Sequence, residues 1–129
     1  MNGTVKEWVD KAEADYAMAQ REFAISVHPN FDGICFHAQQ CVEKLIKALL
    51  IHLGVKPPRT HNLLALDELL AQAHPGWMCP ANELRFLTQG AGAFRYPGAS
   101  AEREDAEYAM TICRRLREAL LKLIGQGAV

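Results

Sequence analysis

The stretch Phe36-His37-Ala38-Gln39-Gln40-Cys41-Val42-Glu43-Lys44-Leu45-Ile46-Lys47-Ala48-Leu49-Leu50-Ile51 decides the fold. With its flanks it carries two apolar seams at helical spacing. One is Ile34, Ala38, Cys41, Leu45 and Ala48; the other is Cys35, Val42, Ile46, Leu49 and Leu53. A surface helix needs one apolar stripe. Two seams point to a central helix with neighbours on both sides, or to a helix that also faces a partner subunit. The remaining stripe is His37, Gln40, Lys44 and Lys47, which share one face. No acid lies on that line, although Glu43 sits beside it. Such a face suits phosphates or an acidic partner; its plain alternative is a solvated helix surface.

Outward from this helix, glycine and proline punctuate the chain at His28-Pro29-Asn30, Gly54 to Pro58, His74-Pro75-Gly76 and Gly90 to Gly98. Between these breaks the pattern is helical and lacks strict alternation. Helix one is expected from about Val5 to Ile25, with Trp8, Ala12, Tyr16, Ala19 and Phe23 on its apolar face and Thr4 with Glu7 at capping-box spacing. Helix two is expected from Phe31 or Asp32 to Leu53, where Gly54 fits a C-cap and Pro57-Pro58 prevents continuation. A short helix is expected over His61 to Ala73, capped by Thr60 or Asn62, and another over roughly Pro80 to Thr88 or a little beyond. The last is expected over about Ala101 to Ile124, where Ala106, Ala109, Cys113, Leu116, Leu120 and Leu123 step by three and four. The fold class is all-α, an up-and-down antiparallel bundle of four to five helices, with residues 1–129 as one domain.

Composition agrees with a packed core: half of the residues are hydrophobic. The net charge of −1 excludes a broadly basic nucleic-acid binder, so any basic site must be local. Cys35, Cys41, Cys79 and Cys113 form no Cys-x-x-Cys pair and read as reduced thiols. Met1 to Glu7 lacks the apolar run of a signal peptide, and no run approaches a bilayer span, so a cytoplasmic, membrane-free protein is expected. No histidine lies three residues after a glutamate, and there is no His-Glu-x-x-His, Walker loop or zinc spacing. Neither a metal nor another cofactor is expected.

The second polar cluster is Lys56-Pro57-Pro58-Arg59-Thr60-His61-Asn62-Leu63, with His61 near a helix start, where burial or the macrodipole would favour its neutral form; its plain alternative is a capping or packing histidine. The third is Phe94-Arg95-Tyr96-Pro97-Gly98, preceded by Gly90-Ala91-Gly92, which reads as a flexible joint. Phe94 and Tyr96 are expected to anchor in the core, and Pro97 stiffens the segment. That would hold Arg95 in a defined position, ready for bidentate contact with phosphate or carboxylate. The alternative is a loop anchor on helix-terminal carbonyls or an acid such as Glu104.

His37-Ala38-Gln39-Gln40, Glu43-Lys44, Lys47-Ala48, Pro57-Pro58, Thr60-His61-Asn62-Leu63 and Arg95-Tyr96-Pro97-Gly98, in that order and spacing, are similar to the HEPN domain. The resemblance is to its nucleotidyltransferase-associated type and spans nearly the whole chain. It implies a helical bundle that pairs as a homodimer. It also implies a minimal nucleotidyltransferase partner, in a toxin–antitoxin-like pair, and nucleotide or RNA as ligand. Other members are metal-independent endoribonucleases. That branch uses an arginine followed, after four to six residues, by a histidine. Arg95 matches the arginine, but Ser100, Ala101 and Glu102 occupy the histidine's places, so the motif is incomplete. Binding is therefore expected over cutting, with Arg95, Tyr96, His37, Gln40, Lys44, Lys47 and His61 as candidates. If the protein cuts RNA, Arg95 and His61 are the catalytic pair; if it does neither, it is a structural dimerisation domain.

Overall fold

The computed structural model describes residues 2–126. Five helices run in order: α1 (Gly3–Phe23), α2 (Phe31–His52), α3 (Leu63–Ala73), α4 (Ala81–Ala93) and α5 (Arg103–Gln126). Among the described residues there is no strand, and no helix is long and apolar enough to cross a membrane.

Helix directions follow from side-chain partners. Trp8 meets Lys47, Asp15 meets Lys44 and His37, and Glu22 meets the Asn30 backbone, so α1 and α2 run antiparallel. Asp32, in the first turn of α2, accepts from the Ala101 amide at 2.6 Å, and Cys41 meets Cys113 farther along. Helix α5 thus runs parallel to α2. Helix α4 opposes both: Glu83 at its start pairs with Arg115, and Arg95 just past its end lies over Phe36. Helices α1, α2, α4 and α5 form an up-and-down bundle, with α3 in the crossover.

Both seams of α2 are buried, except for the half-buried Leu53 at its C-cap. Ile34, Ala38, Cys41, Leu45, Ala48, Val42 and Ile46 have no exposed surface, and α1, α3, α4 and α5 all pack against α2. The central-helix expectation is the correct one of the two. The seams are spent within the chain's own core, so a second copy would have to use other residues.

Local chemistry sets the helix ends. Asn2, not Thr4, caps α1: its Oδ1 accepts from the Val5 amide at 2.8 Å, while Thr4 is already helical. Asn62 caps α3 by accepting from the Leu64 amide at 3.0 Å. Past α2, Gly54 has φ +83°, its amide donates to the Ile51 carbonyl, and the Val55 amide donates to Leu50. This is a Schellman closure, which needs a left-handed residue that glycine supplies without strain.

The main departure is at the end of α4, which carries the helix five residues past Thr88, through Gly90-Ala91-Gly92 to Ala93. Gly90 is buried, and a Cβ there would lie 3.2 Å from Phe94 Cε2. The glycine is thus a close-packing residue in a helix, not a joint. Gly90→Leu should cost about 1–3 kcal/mol by overpacking, read as a lower urea midpoint with an unchanged slope.

The cysteines are free. Burial pushes the Cys35 thiol up to about 12 and the Cys79 thiol up to about 11. Cys41 is raised first by its hydrogen bond with Cys113 and then by burial. Raised values keep a thiol protonated at pH 8, and the thiol is the unreactive form. Iodoacetamide at pH 8 should therefore leave Cys35 and Cys41 unmodified in the native protein and label all four cysteines in urea, as read by intact mass.

Candidate functional site

A cleft of about 430 Å³ opens where the first half of α2, the approach to α3 and the end of α4 meet. Phe36, Gln39 and Gln40 come from α2, His61 and Asn62 from the approach to α3, and Thr88, Ala91, Gly92 and Arg95 from α4 and the turn after it. The Leu63 amide donates to Thr88 Oγ1 at 3.2 Å, which ties the start of α3 to α4 at the cleft wall. The volume lies in the range of ordinary small-ligand sites.

Two buried carboxylates organise the polar groups around it. Asp15 of α1 accepts from Lys44 Nζ at 2.6 Å and lies 2.7 Å from His37 Nδ1. Glu43 of α2 accepts from Lys47 Nζ at 3.0 Å and from Gln39 Nε2 at 3.0 Å, with His61 Nδ1 also at 3.0 Å. Each carboxylate therefore serves one lysine and one histidine. Lys47 is nearly buried, and its ammonium also lies 5.5 Å from the centre of the Trp8 ring.

The predicted stripe on α2 is therefore divided. His37 and Lys44 turn to Asp15, and Lys47 turns to Glu43. Gln40 alone of the four lines the cleft, where it is joined by His61 and Arg95. The Glu43 side chain is only 3% exposed, whereas that of His61 is 83% exposed. Because the carboxylate supplies only acceptors, it selects the tautomer with hydrogen on Nδ1. Nε2 of the neutral ring is then an acceptor, held away from Glu43.

Arg95, in the turn after α4, also lines the cleft. Its guanidinium lies 5.0 Å from the centre of the Phe36 ring, and Phe36 in turn meets His37 edge-on with centroids 5.3 Å apart. Among the described residues no carboxylate pairs with Arg95, so the Glu104 alternative is not realised. The expectation for the flanking aromatics holds for Phe94, which packs against the core, and fails for Tyr96, which is 67% exposed. Helix α4 continues to Ala93, so Phe94 takes the inward direction of its last turn and Tyr96 falls in the turn beyond. Arg95 is positioned by the end of α4 and by Phe36.

Asp15, Gln39, Glu43 and Phe36 were absent from the sequence-based candidates. A signal existed for Asp15: it falls between Ala12, Tyr16 and Ala19 on the apolar face of α1, where an unpaired acid is costly. Gln39 and Glu43 stand four residues apart and bond each other.

An all-helical bundle with a polar cleft between its central helix and a neighbouring helix end is the class that fold and site define. The model of the HEPN domain family matches residues 5–124, so the chain belongs to that family. Two solved structures share the fold. TT1696 from Thermus thermophilus is 19% identical over 95% of this chain and 99% of its own, with a TM-score of 0.75. ST0689, an archaeal HEPN homologue, is 24% identical over 93% of this chain and 97% of its own, with a TM-score of 0.66. A comparison with curated proteins finds no match.

Proposed function

We propose that the cleft binds a nucleotide or a single-stranded RNA segment, with Arg95 as the phosphate contact and Phe36 beside it as a stacking surface. The carrying observation is an exposed guanidinium on the rim of a nucleotide-sized cleft with no carboxylate partner among the described residues. A planar guanidinium grips phosphate bidentately, and unstacked bases pack on aromatic and arginine planes. The protein works in the cytoplasm as a homodimer beside a minimal nucleotidyltransferase partner, in a toxin–antitoxin-like pair. Family membership supports that setting. A monomer in light scattering at working concentration would contradict the dimer, and failure to co-purify with a co-expressed nucleotidyltransferase would contradict the pair.

The Glu43–His61 contact favours a second reading, a metal-independent endoribonuclease. His61 Nε2 would take the proton of a ribose 2′-hydroxyl, whose oxygen attacks the adjacent phosphorus. The 5′-oxygen leaves and takes up a proton, giving a 2′,3′-cyclic phosphate and a free 5′-hydroxyl. Arg95 would stabilise charge on the phosphate oxygens. On this reading RNA is cut in EDTA, and His61→Ala and Arg95→Ala each lower the rate at least about a hundredfold. Uncut RNA, or cutting that survives both substitutions, leaves binding as the function.

A further inference from the structure

The orientation of Gln40 is dictated from inside the bundle. Glu43 only accepts hydrogen bonds, so Gln39 must turn Nε2 towards it, at 3.0 Å. The same nitrogen donates to the His61 carbonyl at 3.3 Å. Gln39 Oε1 therefore faces the other way, and it accepts from Gln40 Nε2 at 2.8 Å. An amide's two ends are nearly equal in shape, and usually either arrangement fits. Here the series starts at an acceptor, so each later step has one direction. Turning Gln40 over would set its Oε1 against Gln39 Oε1, two acceptors face to face. Gln40 is thus left with a fixed acceptor, Oε1, and a second N–H beside it on the cleft wall. Among the described residues Gln40 Oε1 accepts no hydrogen bond.

We infer that this amide reads a base, favouring one with an exocyclic amino group next to a ring-nitrogen acceptor, as in adenine or cytosine. The amino group donates to Gln40 Oε1, and the remaining Gln40 N–H donates to the ring nitrogen. Held in the same orientation by its phosphate on Arg95, a base with a keto oxygen and a ring N–H at this edge, as in hypoxanthine, sets like against like at both positions. The inference rests on the nucleotide reading of the cleft and adds a selectivity to it. One well-formed bidentate pair between an amide and a base discriminates by about tenfold or more.

AMP and IMP test it, because they share ring size, sugar and phosphate and differ at this edge of the base. In calorimetric titrations, AMP should bind the native protein about tenfold more tightly than IMP. Gln40→Ala, at a half-buried helical position, should bring the ratio near one while AMP still binds. Gln39→Leu, which frees the Gln40 amide to turn over, should also flatten the ratio; if that variant does not fold, Gln40→Ala decides alone. Equal binding of AMP and IMP by the native protein, or a preference that persists in Gln40→Ala, overturns the inference. Should both nucleotides bind equally and both be weakened at least about tenfold in Arg95→Ala, the selectivity fails and the nucleotide reading stands. Should neither bind, both fail.

Discussion

Glu43→Ala is expected to destabilise the protein by about 3–5 kcal/mol, the cost of leaving one member of a buried ion pair alone. Lys47 is left as the unpaired member: its side chain is 8% exposed, and Glu43 is its carboxylate partner. The Trp8 ring 5.5 Å away offers partial compensation at most. Gln39 and His61 lose their common acceptor at the same time. Urea unfolding followed by circular dichroism measures the loss. Pairing Glu43→Leu with Lys47→Met should recover most of it, because a well-packed apolar pair of similar volume is often neutral or stabilising. An equal loss in the single and double variants would show that the cost arises elsewhere.

Arg95→Ala is expected to weaken binding of AMP or short RNA by roughly tenfold to a hundredfold, since hydrogen bonds to a charged group contribute about 1.5–3 kcal/mol. Stability should change by less than about 0.5 kcal/mol, as for most exposed positions. The two readouts separate because Arg95 is exposed and makes no ion pair among the described residues. Arg95→Lys should restore only part of the affinity, because an ammonium lacks the planar fork. Lys44→Ala makes a contrast: Lys44 is engaged by Asp15 at 2.6 Å, so its loss should lower stability more than affinity.

The fold was legible because its decisive signal is local and redundant. The two seams of α2 repeat over about five turns, and only a helix covered on both sides buries both. The end of α4 was less legible. Glycine reads as freedom from sequence alone, and the close approach of Phe94 to Gly90 is a three-dimensional fact. The capping error at α1 has a similar origin: Thr4 with Glu7 has the right spacing, but Asn2 reaches the free amide first.

For the site, the sequence named Gln40, His61 and Arg95, and the structure brings those three to one cleft. Their positions in the chain give no hint of proximity; the crossover through α3 supplies it. The stripe of His37, Lys44 and Lys47 read as available charge because no acid lies on its line. Its acids come from beside it, at Glu43, and from another helix, at Asp15. Charge partners across helices have no period, which is why a local pattern could not show them.

The central claim is that the cleft walled by Gln40, His61, Asn62, Thr88 and Arg95 takes a nucleotide or RNA. The most direct test is amide chemical-shift mapping of the labelled protein during titration with AMP and with a short single-stranded RNA. The expected result is saturable shifts clustered at those five residues and Phe36, needing roughly tenfold to a hundredfold more ligand in Arg95→Ala. Shifts confined to another face, such as the groove beside Trp77 and Lys122, or no saturable shifts at all, would contradict the claim.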